Sequence, residues 1–139
     1  MGATISIPKA NYEDIQNGID NNSIYLIHTF QINNDNCLIK NSLNAIEEEQ
    51  IINQLLKNTD KSGHIIIYGK NTNDDSIIKK YNQFIQLGFK NVYIYPGGLF
   101  EWLLLQDIYG NELFPTTNEE KDLLKYKPIK GIVTNYYLK

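Results

Sequence analysis

Thiols and imidazoles, which commonly act as nucleophiles, bases and zinc ligands, are few in this sequence. The chain has one cysteine, Cys37, and two histidines, His28 and His64. Together they cannot complete a tetrahedral zinc site without borrowed ligands, and a single cysteine cannot form an internal disulfide. We therefore expect no metal and no cofactor, and we expect a reducing compartment such as the cytoplasm.

A polar stretch at residues 69–75 directly follows an apolar run and is the best candidate for a ligand site. It comprises Gly69, Lys70, Asn71, Thr72, Asn73, Asp74 and Asp75. Open α/β sheets bind ligands at the carboxyl ends of their strands, where free backbone N–H groups can hold an anion. Alternatively, Asp74, Asp75 and Ser76 cap the following helix and repel an anion. Both interpretations are open, and the second is favoured.

Three side chains near this stretch are candidates for catalysis. Thr72 is the hydroxyl in the middle of the stretch, but no histidine is adjacent to activate it. His28 ends an apolar run and could approach the stretch as an acid, a base or a hydrogen-bond donor, although a partly buried, hydrogen-bonded histidine is more common. Cys37 begins an apolar segment and is more often a small buried hydrophobe than a nucleophile.

Apolar runs predict the strands that would position these residues. The clearest lie at residues 23–30, 64–68 and 92–95, a short strand is expected at 37–39, and residues 4–7 are a short apolar start that Pro8 ends. Because the longer runs are nearly continuous rather than alternating, they are typical of a parallel sheet that is covered on both faces.

Helical periodicity and capping residues predict the remaining elements. Helices are predicted after Asn11 at 12–19, from the Asn44 and Glu47 capping box to 57, at 77–87, at 99–109, and between Thr117 and Pro128. The alternation predicts an α/β fold, a single three-layer domain over residues 1–139 with a mainly parallel central sheet of about five strands and helices on both faces. Its core would cover residues 4–115. Residues 116–139 would add a C-terminal helix and a tail that pack on the core, with 131–138 as a strand or an extended lid.

Residues 65–102 carry a more specific pattern. They read IIIYGKNTNDDSIIKKYNQFIQLGFKNVYIYPGGLFEW and include Gly88-Phe89, Asn91-Val92, Gly97-Gly98 and Trp102. This order resembles the rhodanese-like superfamily, in which an apolar strand, a catalytic loop and a helix precede a Gly-Phe-x-Asn-Val strand and Gly-Gly-x-x-x-Trp. The run SIYLIHTF at 23–30 resembles the early strand of the family, which usually ends in Asp-Val-Arg. The resemblance implies a rhodanese-like fold over residues 4–115.

The resemblance also implies where a nucleophile would lie. In active members the residue after the final Tyr of the loop strand is a cysteine that carries the transferred sulfur, and Gly69 stands at that position. No other residue of the loop can hold a persulfide, because this chemistry needs a polarizable sulfur of low pKa. We therefore predict a non-catalytic rhodanese-like domain that acts as a binding or scaffolding module. The alternative is an enzyme of a different mechanism, a hydrolase or transferase that uses His28 or Cys37.

The predicted helix at 99–109, LFEWLLLQDIY, is apolar almost all round, so the sheet alone cannot bury it. The C-terminal segment, a protein partner or a second copy of the chain must cover the rest. If a partner does so, Phe100 and Trp102 are the predicted interface residues.

Charge and termini limit the remaining function classes. The net charge is -3 and the thirteen basic residues, all lysines, are scattered, so we expect no nucleic-acid binding.

No apolar run is long enough to span a bilayer. Residues 1–6, MGATIS, fit the N-myristoylation pattern and predict lipidation of Gly2 where an N-myristoyltransferase acts. Because one such chain binds membranes only marginally, we expect a cytoplasmic protein with reversible membrane contact.

Overall fold

The structure, a computed structural model, describes residues 6–31, 37–58, 63–129 and 131. In this part of the chain, helices and strands alternate along most of the sequence. In chain order they are α1 (Tyr12–Asn21), β1 (Ile24–His28), β2 (Ser42–Leu43), α2 (Ala45–Lys57), β3 (His64–Tyr68), α3 (Ser76–Gln86), β4 (Val92–Tyr95) and α4 (Gly98–Tyr109). The predicted α/β class is confirmed.

The named strands form one parallel sheet in the order β2-β1-β3-β4. His28 at the end of β1 is in register with Tyr68 at the end of β3, and Tyr68 is in register with Tyr95. The loops that leave β1 and β3 therefore start side by side at one edge of the sheet. The predicted parallel sheet is confirmed, with slightly fewer strands than expected.

Of the short apolar start at residues 4–7, residues 4 and 5 lie outside the described residues. Slightly later, Lys9 forms an isolated parallel bridge with Ile94 of β4. Ala10 N donates to Ile94 O at 2.8 Å, and Ile94 N donates to Pro8 O at 3.0 Å. Since Pro8 has no N–H to offer, this segment extends the sheet only briefly.

The strand predicted at residues 37–39 is wrong. Ile39 makes only an isolated antiparallel bridge with Thr116, and the strand beside β1 begins at Ser42. Asn41 has a φ of 71°. This left-handed conformation, which asparagine tolerates better than most residues, turns the chain before β2.

The helix predicted between Thr117 and Pro128 is also wrong, because these residues form turns and irregular structure. The Thr117 hydroxyl accepts a hydrogen bond from Leu38 N at 3.0 Å, and Thr117 N donates to Leu38 O at 2.8 Å. Glu120 Oε2 accepts from Asp122 N at 3.2 Å. The hydroxyl and carboxylate that suggested a helix start therefore hold a tertiary contact and a turn.

The other predicted helices are confirmed, and so are the caps at Asn11, Asn44 and Gly88. Asn11 and Asp14 form a reciprocal capping box at α1, with bonds of 2.9 and 3.1 Å. Asn44 and Glu47 form the same arrangement at α2, with bonds of 3.1 and 2.8 Å. Gly88 follows α3 with a φ of 95°, as expected of a C-terminal cap.

Helices cover both faces of the sheet, so the predicted three-layer arrangement is confirmed. Leu26 and Ile66 point to the face that α1 and α4 cover, whereas Ile27, Ile65 and Ile67 point to the face that α2 and α3 cover. In the ranges that the structure describes, no helix is long and apolar enough to cross a bilayer.

Candidate functional site

The polar loop lies at the carboxyl edge of the sheet, between Tyr68 at the end of β3 and Ser76 at the start of α3. Gly69 is buried, whereas Lys70 and Thr72 are exposed. This is the position at which open α/β sheets place their ligand sites. The geometry of the loop therefore decides what the protein can do there.

The Asp74 carboxylate lies inside the loop and collects its hydrogen bonds. Oδ2 accepts from Lys70 N at 2.9 Å, and Oδ1 accepts from Ser76 N at 3.1 Å and from the Ser76 hydroxyl at 2.5 Å. Burial acts to raise the pKa of Asp74, but the hydrogen bonds from Ser76 and Lys70 outweigh it and lower the pKa. Asp74 is therefore an ionised carboxylate at neutral pH, held by N–H groups of its own loop.

This carboxylate fills the space that a side chain at position 69 would need. A Cβ built on Gly69 would collide with Asp74 Oδ2, and it would lie 2.9 Å from Asp74 Cγ and 3.0 Å from Thr29 Oγ1. The Thr29 hydroxyl also lies 2.6 Å from the Ser76 hydroxyl. A side chain at 69 and the Asp74 carboxylate cannot both occupy their places without a shift.

The N-terminus of α4 is also committed to the loop. Leu99 N donates to Gly69 O at 3.0 Å, and Phe100 N donates to Lys70 O at 2.9 Å. Gly98 allows this approach, because its φ is 66° and a Cβ there would lie 2.7 Å from Gly69 O. These N–H groups bind loop carbonyls and are not available to an external anion.

The middle of the loop is fixed by Asn71, which is 8% exposed. Its Oδ1 accepts from Asn73 N at 2.8 Å, and its Nδ2 donates to Tyr126 O at 2.8 Å. Asn73 and Asp75 are exposed. Asp75 stands at the N-cap of α3 but makes no side-chain capping bond, so among the acids expected to cap this helix only Asp74 does so.

His28 lies beside the loop, in a cleft of about 510 Å³ that Thr29, Ser76 and Lys79 also line. Its Nδ1 accepts from Phe30 N at 3.2 Å, which leaves the proton of the neutral ring on Nε2. Burial lowers the pKa of His28. At neutral pH the ring is therefore uncharged, with Nε2 as its hydrogen-bond donor.

Cys37 is buried and belongs to the apolar core on the α4 side of the sheet. Its Sγ donates to Asn118 O at 3.2 Å, and burial raises the pKa of the thiol. This environment disfavours the thiolate that a nucleophile needs. Among the described residues, no group of three or more His, Cys, Asp and Glu side chains could hold a metal ion.

The apolar helix α4, which was expected to need a cover besides the sheet, is covered largely by other parts of the same chain. Trp102 is fully buried, packs edge-on against Phe114 with ring centroids 5.0 Å apart, and donates from Nε1 to Pro115 O at 3.2 Å. Trp102 cannot therefore contribute its ring to an exposed interface, and that part of the prediction is wrong. Phe100 is half-buried.

The predicted lipidation residue, Gly2, lies outside the described residues.

Sequence reasoning missed two features of this site. No pattern indicated that Asp74 would turn back into the space beside Gly69, because the loop does not follow a periodic element. The second feature is the contact between Asn71 and the Tyr126 carbonyl. It was missed because Tyr126 was expected in a C-terminal helix, whereas the segment is irregular.

Comparisons with known proteins agree with this architecture. The sequence model of the rhodanese-like domain matches residues 12–105. No curated protein matches significantly. Similar solved structures include the BH2092 protein from Bacillus halodurans, with 21% identity, 74% of each chain covered and a TM-score of 0.56. A protein from Lactobacillus plantarum shares 13% identity over 70% of this chain and 83% of that one, with a TM-score of 0.55.

The rhodanese-like domain of the Alr3790 protein from an Anabaena species is also similar. It has 19% identity and a TM-score of 0.53, and the match covers 94% of this chain and 91% of that domain. At these identities, the likenesses to solved structures show the fold alone.

Proposed function

The chain belongs to the rhodanese-like domain family, and we propose that it is a non-catalytic member that acts as a binding or scaffolding module. The observation that carries this proposal is the Asp74 carboxylate, which occupies the space of a side chain at Gly69. Residue 69 is the position at which the resemblance places the sulfur-carrying cysteine of active members.

The chemistry of sulfur transfer supports the proposal. A persulfide needs a thiolate that is exposed to its donor and stabilised by nearby N–H groups. In this chain those N–H groups bind Asp74, and the thiol of Cys37 is buried and bonded to the Asn118 carbonyl. Neither the loop nor the cysteine offers the required environment.

One observation favours a second candidate function, an enzyme of another mechanism. His28 lines the cleft next to the loop together with the Ser76 hydroxyl. A hydrolase or transferase would need His28 as a base, but its Nδ1 already accepts from Phe30 N, and Ser76 already donates its proton to Asp74. Hydrolysis of p-nitrophenyl acetate that is lost in His28→Ala would support this candidate over the binding module.

The proposal includes a partner and a reversible membrane contact. The pattern at residues 1–6 supports myristoylation of Gly2, and the half-buried Phe100 offers apolar surface to a partner protein or a second copy. Coexpression with an N-myristoyltransferase, followed by intact-mass measurement, tests the lipid. The mass of a myristoyl group should appear on the wild type and be lost in Gly2→Ala.

Persulfide formation tests the central part of the proposal. The wild type with Cys37 intact, and Gly69→Cys and Gly69→Cys/Asp74→Ala in a Cys37→Ala background, are incubated with thiosulfate, whose outer sulfur passes to a thiolate as sulfite leaves, and their masses are measured by mass spectrometry. We expect one added sulfur atom on the double variant, little on Gly69→Cys and none on the wild type. Gly69→Cys/Asp75→Ala is the matched control, because the Asp75 side chain makes no capping bond. The proposed role of the carboxylate would be contradicted if Gly69→Cys, Gly69→Cys/Asp75→Ala and Gly69→Cys/Asp74→Ala all gained sulfur to the same extent.

A further inference from the structure

The segment after α4 returns across the polar loop without forming a helix or a strand. We call residues 119–129 the C-terminal strap. The chain is tied to the core just before the strap, where Lys40 N donates to Pro115 O at 3.0 Å. The backbone-to-backbone bonds found for the strap among the described residues are local, from Lys125 N to Asp122 O and from Lys127 N to Leu124 O.

Tyr126 is the residue that seats the strap on the loop. It is 7% exposed, and its carbonyl oxygen accepts from Asn71 Nδ2 at 2.8 Å. Its ring meets Phe30 edge-on, with centroids 5.6 Å apart. By contrast, Leu124 is 57% exposed. One aromatic side chain and one backbone carbonyl therefore make the seated contact, with the half-buried Leu123 as a second anchor.

The surface under Tyr126 has the features of a recognition site. Phe30 packs against Tyr68 and His28, with ring centroids 6.0 and 5.7 Å apart, so two neighbouring rings restrict its ring. The buried Asn71 amide presents a donor beside these rings. A fixed aromatic wall next to a buried donor fits an aromatic residue in an extended peptide, through ring contact and a main-chain hydrogen bond.

We propose that Tyr126 is a displaceable internal ligand of a peptide-binding site formed by Phe30, which packs against Tyr68, and by Asn71. The external ligand is an extended peptide that carries a tyrosine or phenylalanine, and it competes with the strap. This inference rests on the proposed binding function and names its site. Few hydrogen bonds join the strap to the rest of the described chain, so opening it costs mainly the exposure of Tyr126 and Leu123, and a competing ligand binds in proportion to the open fraction.

Opening of the strap is measured by limited trypsin digestion at the bond after Lys125, since Tyr126 on the other side of that bond is buried. Asn71→Asp keeps the acceptor for Asn73 N but replaces the donor to Tyr126 O with a carboxylate. We expect cleavage about tenfold faster than in the wild type. Leu124→Ala is the control and should leave the rate unchanged. Equal rates for the wild type and Asn71→Asp would overturn the proposed seat.

Binding is measured with a fluorescent synthetic peptide of residues 119–129, EEKDLLKYKPI. Tyr126→Ala vacates the site in the full chain and should bind this peptide at least about tenfold more tightly than the wild type does. A peptide with alanine in place of its tyrosine should not bind. Tyr126→Leu, which keeps apolar volume, is used in the same way if the alanine variant does not fold. Equal affinity for vacated and wild-type proteins, or no binding to a folded vacated variant, would overturn the inference.

These readouts are independent of sulfur transfer. If the wild type proves to be a sulfurtransferase, the non-catalytic proposal fails. The peptide and trypsin results still decide whether the strap is a displaceable ligand. If the peptide does not bind and the wild type is inert, only the strap inference fails.

Discussion

The stability effects of substitutions at Gly69 and Asp74 should be strongly coupled, because a side chain at position 69 would need the space that the Asp74 carboxylate occupies. Gly69→Cys places a thiol where the Asp74 carboxylate lies, so it should destabilise the fold by about 3 kcal/mol through overpacking and lost hydrogen bonds. Asp74→Ala removes the acceptor of the Lys70 and Ser76 bonds and should cost about 2 kcal/mol. In the double variant the thiol occupies the vacated space. Its cost should therefore be about 2–3 kcal/mol rather than the sum of about 5 kcal/mol, which is a coupling of about 2–3 kcal/mol.

The assay is equilibrium urea denaturation at neutral pH for the wild type, both single variants and the double variant, followed by far-ultraviolet circular dichroism. Gly69→Cys combined with Asp75→Ala serves as the reference cycle, because Asp75 is exposed and makes no capping bond. That pair should be additive within about 0.5 kcal/mol. Additive costs for Gly69→Cys and Asp74→Ala would refute the reasoning, since two groups that do not share a space have no reason to couple.

Three further measurements probe the same framework. The lowered pKa of Asp74 means that its ionised form stabilises the fold above the ordinary value of 3.8, and that this contribution is lost as pH falls through the folded pKa. The stability difference between wild type and Asp74→Asn should thus be constant near neutral pH and shrink in acid; a pH-independent difference would count against it. Gly98→Ala should cost about 1–3 kcal/mol more than Gly110→Ala in urea melts, because both have positive φ but only Gly98 faces backbone atoms. Trp102→Ala should cost about 3–5 kcal/mol, whereas Ile108→Ala, at a side chain 69% exposed, should change stability by less than about 0.5 kcal/mol; similar costs would mean that α4 is not covered as described.

Elements with a clear period or a local cap could be predicted from the sequence. The runs that became β1, β3 and β4 are nearly continuous and apolar, as a parallel sheet with two covered faces requires. The caps at Asn11 and Asn44 depend on residues three positions apart, so they too are visible locally. The helices that follow them were predicted for the same reason.

Features that depend on long-range contacts could not be predicted. Thr117 looks like a helix cap in the sequence, but its hydroxyl and N–H bind Leu38, which is far away along the chain. Asp74 looks like one of several acids at a helix start, and only the structure shows that its carboxylate takes the space that a side chain at position 69 would need. The family resemblance identified residue 69 as the position of the nucleophile in active members. Only the structure identified the Asp74 carboxylate as the group that fills the space beside it.

The most direct test of the central claim is thiosulfate:cyanide sulfurtransfer by the unmodified wild-type chain. Because Gly69 carries no sulfur, the loop binds its own Asp74 and Cys37 is buried, we expect a rate no higher than that of Cys37→Ala. Wild-type turnover that disappears in Cys37→Ala would contradict the account, because it would show that a thiol of this domain reaches a sulfur donor.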